Sequence, residues 1–188
     1  MNPAPAIVVL TPSGATLAER LRTHLPGATV HGLARRVADP DIAFDDTMAH
    51  LGALFRAGTP IAGVCASGIL IRSVAPYLAD KRTEPPVLAL AEDGSAVVPL
   101  LGGHAGGNAL ARLIADALGI AAALTTAGDV TFGYALDAPP RGWRVANPET
   151  AKPVMAARLA GESVGLVVEA GDAGWLTETP TPWTVSGN

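Results

Sequence analysis

Residues 6–10 form an unbroken apolar run, Ala-Ile-Val-Val-Leu, which is the pattern of a strand buried on both faces. Thr11, Pro12, Ser13 and Gly14 then give a turn and a helix start, and Leu17, Leu21 and Leu25 recur at helical spacing until Pro26 and Gly27 stop the run. Residues 28–31 predict a short second strand, and the basic stretch 33–37 leads to a loop at Asp39 and Pro40. A helix is predicted over 44–55, with Asp45 and Asp46 near its positive end. Residues 61–65 predict the next strand, in which Gly63 allows a close approach. Ser67 is placed to cap a helix carrying Ile69, Leu70 and Val74, which Pro76 kinks or ends. Alternation of strand and helix in this order predicts parallel strands sandwiched by helices.

The pattern then changes. The apolar runs 87–90 and 96–101 flank Asp93 and Gly94, the signal of a hairpin. A glycine-rich loop follows, then a helix over 108–118 closed by Gly119, then a strand over 121–125. The polar turn at Thr125, Thr126 and Asp129 falls where that strand would have its carboxyl end, the usual ligand side of an open α/β sheet. Beyond Pro139 and Pro140 the chain predicts a short strand over 143–146, a helix over 149–159 and a strand over 164–169. The proline- and threonine-rich tail from residue 177 reads as a linker. The expected fold is α/β, an open and mostly parallel sheet flanked by helices, with an inserted hairpin and a smaller α/β second subdomain. The expected divisions are 1–137, 138–176 and 177–188.

Composition narrows the classes of function. Of 188 residues, 49% are hydrophobic and 16% charged, enough to bury a core and too apolar for disorder. A net charge of −4 argues against nonspecific nucleic-acid binding, while leaving room for a local basic pocket. Cys65 is the only cysteine, which excludes an internal disulfide and a multi-cysteine metal site. The N-terminal apolar run is short and has no basic region ahead of it, and no run reaches the length of a membrane span. A cytoplasmic protein with no membrane and no nucleic-acid partner is the expectation.

Candidate chemistry centres on Gly102-Gly103-His104-Ala105-Gly106-Gly107-Asn108, with four glycines in six residues around a histidine. Glycine lets backbone approach a ligand, a following helix presents free N–H groups, and histidine exchanges protons near neutral pH. A sharp turn with an ordinary surface histidine fits the same residues. The loop has neither the Gly-Lys-Ser/Thr of a phosphate loop nor the spacing of a dinucleotide fingerprint, which counts against a nucleotide-binding domain. Arg72 and the Asp80-Lys81-Arg82 cluster fit either recognition of ligand carboxylates or a solvated helix end. Cys65 is placed for a thiolate at a helix start or for an inert buried thiol, and Ser67 for a cap rather than a nucleophile. His24, His31 and His50 show no metal-ligand spacing, and no metal site is expected. Asp129 fits a partner for His104 or a turn residue.

Taken together, these motifs resemble a family. Gly63-Val64-Cys65-Ala66-Ser67-Gly68-Ile69, then Arg72, Ala75-Pro76 and Asp80-Lys81, resemble the opening of the CbiG family of cobalamin biosynthesis. The later order agrees: the Asp93-Gly94 turn, Pro99 to Asn108 with its double glycines, Leu110-Ala111, and Thr125-Thr126 with Asp129. The resemblance covers about residues 60–170. Gly102 stands where the family usually has serine, Asn108 follows Gly107 without the usual extra residue, and Thr126-Ala127-Gly128-Asp129 replaces Thr-Ala-Thr-Asp. The family's C-terminal CobE-like domain has no counterpart in these residues.

The resemblance implies a cobalt-precorrin-5A hydrolase, which opens a δ-lactone on the corrin ring and releases acetaldehyde. It implies His104 as general base, oriented by Asp129, and the backbone of 102–108 as oxyanion donors. Gly68, Arg72, Lys81, Gly102, Gly103, Gly106, Gly107, Asn108, Thr125 and Thr126 would bind the acidic tetrapyrrole. No cofactor is implied, since cobalt would arrive in the substrate. Related domains are fused ahead of a CobJ-type precorrin-3B methyltransferase, so a precorrin methyltransferase or a CobE-like chain is the implied partner. The alternative is a tetrapyrrole-binding module without catalysis that serves such a methyltransferase.

Overall fold

Four apolar runs become the parallel strands β1 (Ala6–Val9), β2 (Thr29–Leu33), β4 (Ile61–Val64) and β5 (Val87–Leu90), joined by β3 (Ile42–Phe44) and the antiparallel β6 (Val97–Leu101). In the computed structural model, residues 3–81, 83–137, 139–140, 142–177 and 183–185 are described, apart from the side chains of His104, Thr184 and Val185. Arg82 of the mixed-charge cluster and most of the tail lie outside the described residues. Two compact units form, Met1–Ala123 and Leu124–Asn188, where composition placed a boundary after residue 137.

In the first unit the sheet order is β3-β2-β1-β4-β5-β6. Chain order reverses at β1, whose neighbours are β2 and β4, so the crevice between the carboxyl ends of β1 and β4 is the switch point of an open α/β sheet. Helix α1 (Pro12–Arg22) starts at Thr11, whose hydroxyl accepts from the Gly14 amide. Helix α2 (Thr47–Arg56) is capped by Asp46, which accepts from the Ala49 amide. Helix α3 (Ser67–Val74) packs beside α2, and both cover the face that buries Ala6, Val8, Leu51, Phe55, Ile61 and Val87. Gly63 gives its side-chain space to Leu70 of α3; an added Cβ would lie 2.6 Å from that leucine. Helix α4 (Gly107–Leu118) packs on β5 and β6, with Ile114 fully buried. Each such aliphatic side chain contributes roughly 1.5–3 kcal/mol.

Four expectations are corrected here. The helix expected over 44–55 begins at Thr47, because Phe44 ends β3, whose register with β2 buries it. Ser67 is the first helical residue rather than the cap; Ala66 holds that position without a side-chain bond. Residues 121–125 form no strand, since one bond, from the Ala123 amide to the Val97 carbonyl, is all that ties them to β6. The polar turn after them opens the helix α5 (Ala127–Phe132).

The second unit contains α5, α6 (Pro148–Leu159), the short helix α7 (Gly174–Thr177), and the parallel strands β7 (Gly165–Leu166) and β8 (Thr184–Val185). No strand forms over 143–146, and the one expected over 164–169 shrinks to β7. The described part of the tail is not a linker. Trp183 stacks on Tyr134 at 6.2 Å, takes the Arg158 guanidinium at 3.7 Å from its ring, and donates from Nε1 to the Leu176 carbonyl. An indole with those three partners anchors the tail to the core of Phe132, Tyr134 and Leu176.

Candidate functional site

Strand direction decides where each predicted residue ends up. Because β6 runs antiparallel to β5, with Leu101 opposite Val87, the glycine loop emerges at the amino end of the parallel strands. Ile61 donates to the Pro86 carbonyl at that end, and Gly102 lies directly on the Pro85–Pro86 backbone. The segment carrying Lys81 leads into the start of β5 and shares this end, as does the last turn of α3, which carries Arg72. Gly68 does not: it sits in the first turn of α3, at the carboxyl end of β4.

Within the loop, Gly102 takes φ 65° and Gly106 φ 102°, left-handed values that disfavour other residues. The Gly102 carbonyl accepts from the amides of Ala105 (2.9 Å) and Gly107 (2.8 Å), closing a 3-10 turn at Gly103–Ala105 that holds the His104 backbone. Those two amides are therefore committed within the loop, and an oxyanion would have to be met by others of the 102–108 backbone. An added Cβ at Gly107 would stand 2.8 Å from the Gly102 oxygen, so the helix can begin there only with glycine. Asn108 is 7% exposed and its Oδ1 lies against Gly103, 3.1 Å from where a Cβ would be. The turn and the site readings of this loop thus apply to different residues: Gly102 and Gly107 are required by packing, whereas His104 is carried on a tightly bonded turn.

Arg72 is exposed and folds back along its helix, donating from Nη1 to the Gly68 carbonyl at 3.0 Å. Lys81 is exposed. Thr125, Thr126 and Asp129 belong to the second unit. There Thr126 precedes α5 and its hydroxyl donates to the buried Asp129 carboxylate at 2.5 Å.

The carboxyl end carries groups the sequence reading did not connect. Glu92 follows β5, and its two carboxylate oxygens accept from Thr11 Oγ1 (2.8 Å) and Ser13 Oγ (2.7 Å), across the switch point. These bonds hold its carboxyl below the usual range. A cleft of about 300 Å³ lies beside it, lined by Cys65, Ala66, Ser67, Glu92 and apolar residues of β5, β6 and the turn between them. Burial, and then the nearby Glu92 charge, push the Cys65 thiol up to about 11, so it stays protonated at neutral pH and the thiolate reading fails. Beneath α2, His31 Nδ1 and His50 Nε2 share a hydrogen bond of 2.8 Å, and Phe44 stacks on His50 at 4.3 Å. The two rings are 19 positions apart in sequence, and only the fold brings them together. Among the described residues no group of three or more His, Cys, Asp or Glu side chains is arranged to hold a metal ion. No helix among them is long and apolar enough to cross a membrane.

Comparison with known proteins bears on the first unit above all. Residues 49–129, from α2 through the glycine loop to Asp129, match the family model described as cobalamin synthesis G N-terminal, CbiG_N. Over 134 residues the chain is 40% identical to a cobalt-precorrin-5A hydrolase of Salmonella typhimurium, covering 70% of this chain and 38% of that protein. The family this chain resembles is CbiG. A cobalt-precorrin-5A hydrolase of Priestia megaterium is 35% identical over 136 residues, covering 70% of this chain and 36% of the relative. This chain therefore spans less than two fifths of the length of these curated relatives. Its fold is that of a cobalamin biosynthesis protein G homolog from Sulfolobus solfataricus, with a TM-score of 0.50 at 20% identity over 93% of this chain and 53% of that one.

Proposed function

We propose that this chain acts in corrin-ring biosynthesis as a lactone hydrolase on cobalt-precorrin-5A. The observation that carries the reading is the CbiG N-terminal match at 49–129, which encloses the glycine loop and His104. In the proposed reaction His104 takes a proton from water as that water adds to the lactone carbonyl. The acyl C–O bond then breaks, leaving a carboxylate and an alkoxide that recovers the proton. The bond between that hydroxyl-bearing carbon and the ring then breaks: the hydroxyl loses its proton and becomes the carbonyl of acetaldehyde, while the ring carbon keeps the electron pair and takes up a proton. Amides of the 102–108 backbone other than those of Ala105 and Gly107 would meet the oxyanion, and donors of this kind contribute about 3–4 kcal/mol each at most. Arg72 and Lys81, at the same end of the sheet as the loop, would hold peripheral carboxylates. The reading carries a cytoplasmic location, and a precorrin methyltransferase or CobE-like chain as partner. His104→Ala is expected to slow acetaldehyde release from cobalt-precorrin-5A by about 10²–10⁴-fold. Release at the parental rate would remove His104 as the base.

One observation favours a second reading, a tetrapyrrole-binding module without turnover: two of the loop amides are already bonded to the Gly102 carbonyl. Product analysis separates the two. A module would shift the absorbance of the corrinoid on titration and leave its lactone closed.

A further inference from the structure

At the amino end of the sheet, the last turn of α2 meets the chain that follows α3. Gly52 is buried under the Tyr77 ring so closely that an added Cβ would stand 2.5 Å from Cε2. One turn later Arg56 donates from Nε to the Gly52 carbonyl at 3.3 Å, and its guanidinium lies 5.2 Å from the centre of the same ring. The guanidinium thereby lies over an aromatic platform, and no acidic group of the described residues forms a salt bridge with it. Tyr77 and Leu78 are 37% and 45% exposed, an apolar ledge beside that fork. Exposed Lys81 follows, while the neighbouring Glu84 carboxylate accepts from the Ala79 amide at 3.2 Å.

The ledge and the glycine loop lie at the same, amino end of the sheet, and β4, on which α2 packs, is two strand positions from β6. A helix-terminal arginine alone would be ordinary. Here the stacked, pre-oriented fork, the exposed apolar ledge and the second cation lie together, which suits a ligand that is flat and apolar in its centre and carboxylate-bearing at its edge. We infer that Arg56, Tyr77 and Leu78 form the seat for the tetrapyrrole ring, with Arg56 gripping a peripheral carboxylate at the same end of the sheet as the glycine loop. The inference rests on the proposed substrate class and adds residues that the sequence reading left out.

Uroporphyrin I, a carboxylate-rich tetrapyrrole without a lactone, tests it by absorbance titration of the full chain. Arg56→Gln is expected to raise Kd about tenfold, the loss of one charge-assisted contact. Arg56→Lys should recover part of that loss, because it keeps charge and loses the fork. Tyr77→Leu should weaken binding through the stacked platform. Arg36→Gln, an exposed arginine at the other end of the sheet, should leave Kd unchanged. Circular dichroism confirms that each variant is folded, and Arg56→Gln, at an exposed position, serves if Tyr77→Leu is not. Parental Kd in Arg56→Gln, an equal loss in Arg36→Gln, or no binding by the parent protein would each overturn the seat. Hydrolysis plays no part in this titration, so the seat and the His104 assignment fail separately.

Discussion

An alanine methyl at Gly102 would lie within 2.8 Å of the Pro85 and Pro86 backbone, at a φ of 65°. Both the conformation and the space therefore oppose it. Left-handed backbone costs a non-glycine residue about 1–2 kcal/mol and overpacking about 1–3 more. Gly102→Ala should thus lose about 2–5 kcal/mol in urea unfolding. Gly119→Ala, at φ 71° with nothing within 4 Å, is the control and should lose about 1–2 kcal/mol. His31 makes a different residue-scale prediction. Burial, and then the His50 charge, lower it to about 4 from an ordinary value near 6.5. Above the ordinary value both folded and unfolded chains hold a neutral ring, and its contribution to stability is complete. As pH falls from there towards 4, the unfolded chain takes up a proton that the folded one refuses, so stability declines by up to about 3 kcal/mol and then levels. Unfolding free energies measured at pH 7 and pH 5 should show the loss, and His31→Gln should flatten it.

The elements differ in how openly the sequence announces them. β1, β4 and β5 are legible because strands buried on both faces must be continuous apolar runs, and all four residues of each are buried, or nearly so. The Asp93-Gly94 hairpin is equally legible, and it fixes the direction of β6 and so the end at which the glycine loop sits. β3 is hidden because three residues give too little pattern, and Phe44 fits a helical period as well as a strand end. The expected strand over 121–125 is apolar without a partner ladder, a property that depends on neighbours distant in sequence. For the same reason the Gly52, Arg56 and Tyr77 stack was invisible: Gly52 and Arg56 are one helical turn apart, but the ring arrives from beyond α3. Glu92 is another such case, a hairpin residue tied to the α1 start through Thr11 and Ser13. Glu92→Gln removes the smaller of the two causes raising Cys65, so alkylation of Cys65 by iodoacetamide should show a titration shifted modestly downward from about 11. An unchanged profile would mean that burial alone sets it.

At the scale of the molecule, the CbiG match is concentrated on the first unit and reaches the start of the second, at Asp129. The aromatic residues are distributed unevenly between the units. Trp143, Trp175 and Trp183 all fall in Leu124–Asn188, and three of the eight aromatic side chains, Phe44, Phe55 and Tyr77, fall in Met1–Ala123. Tryptophan emission during denaturation therefore reports the second unit alone, whereas the far-ultraviolet signal also contains the larger helical content of the first. Tyr77 is left as the sole tyrosine of residues 1–123. A ring settling on Arg56 and Leu78 would therefore act on the one strong near-ultraviolet chromophore the first unit owns, which makes that phenol a built-in optical gauge of occupancy.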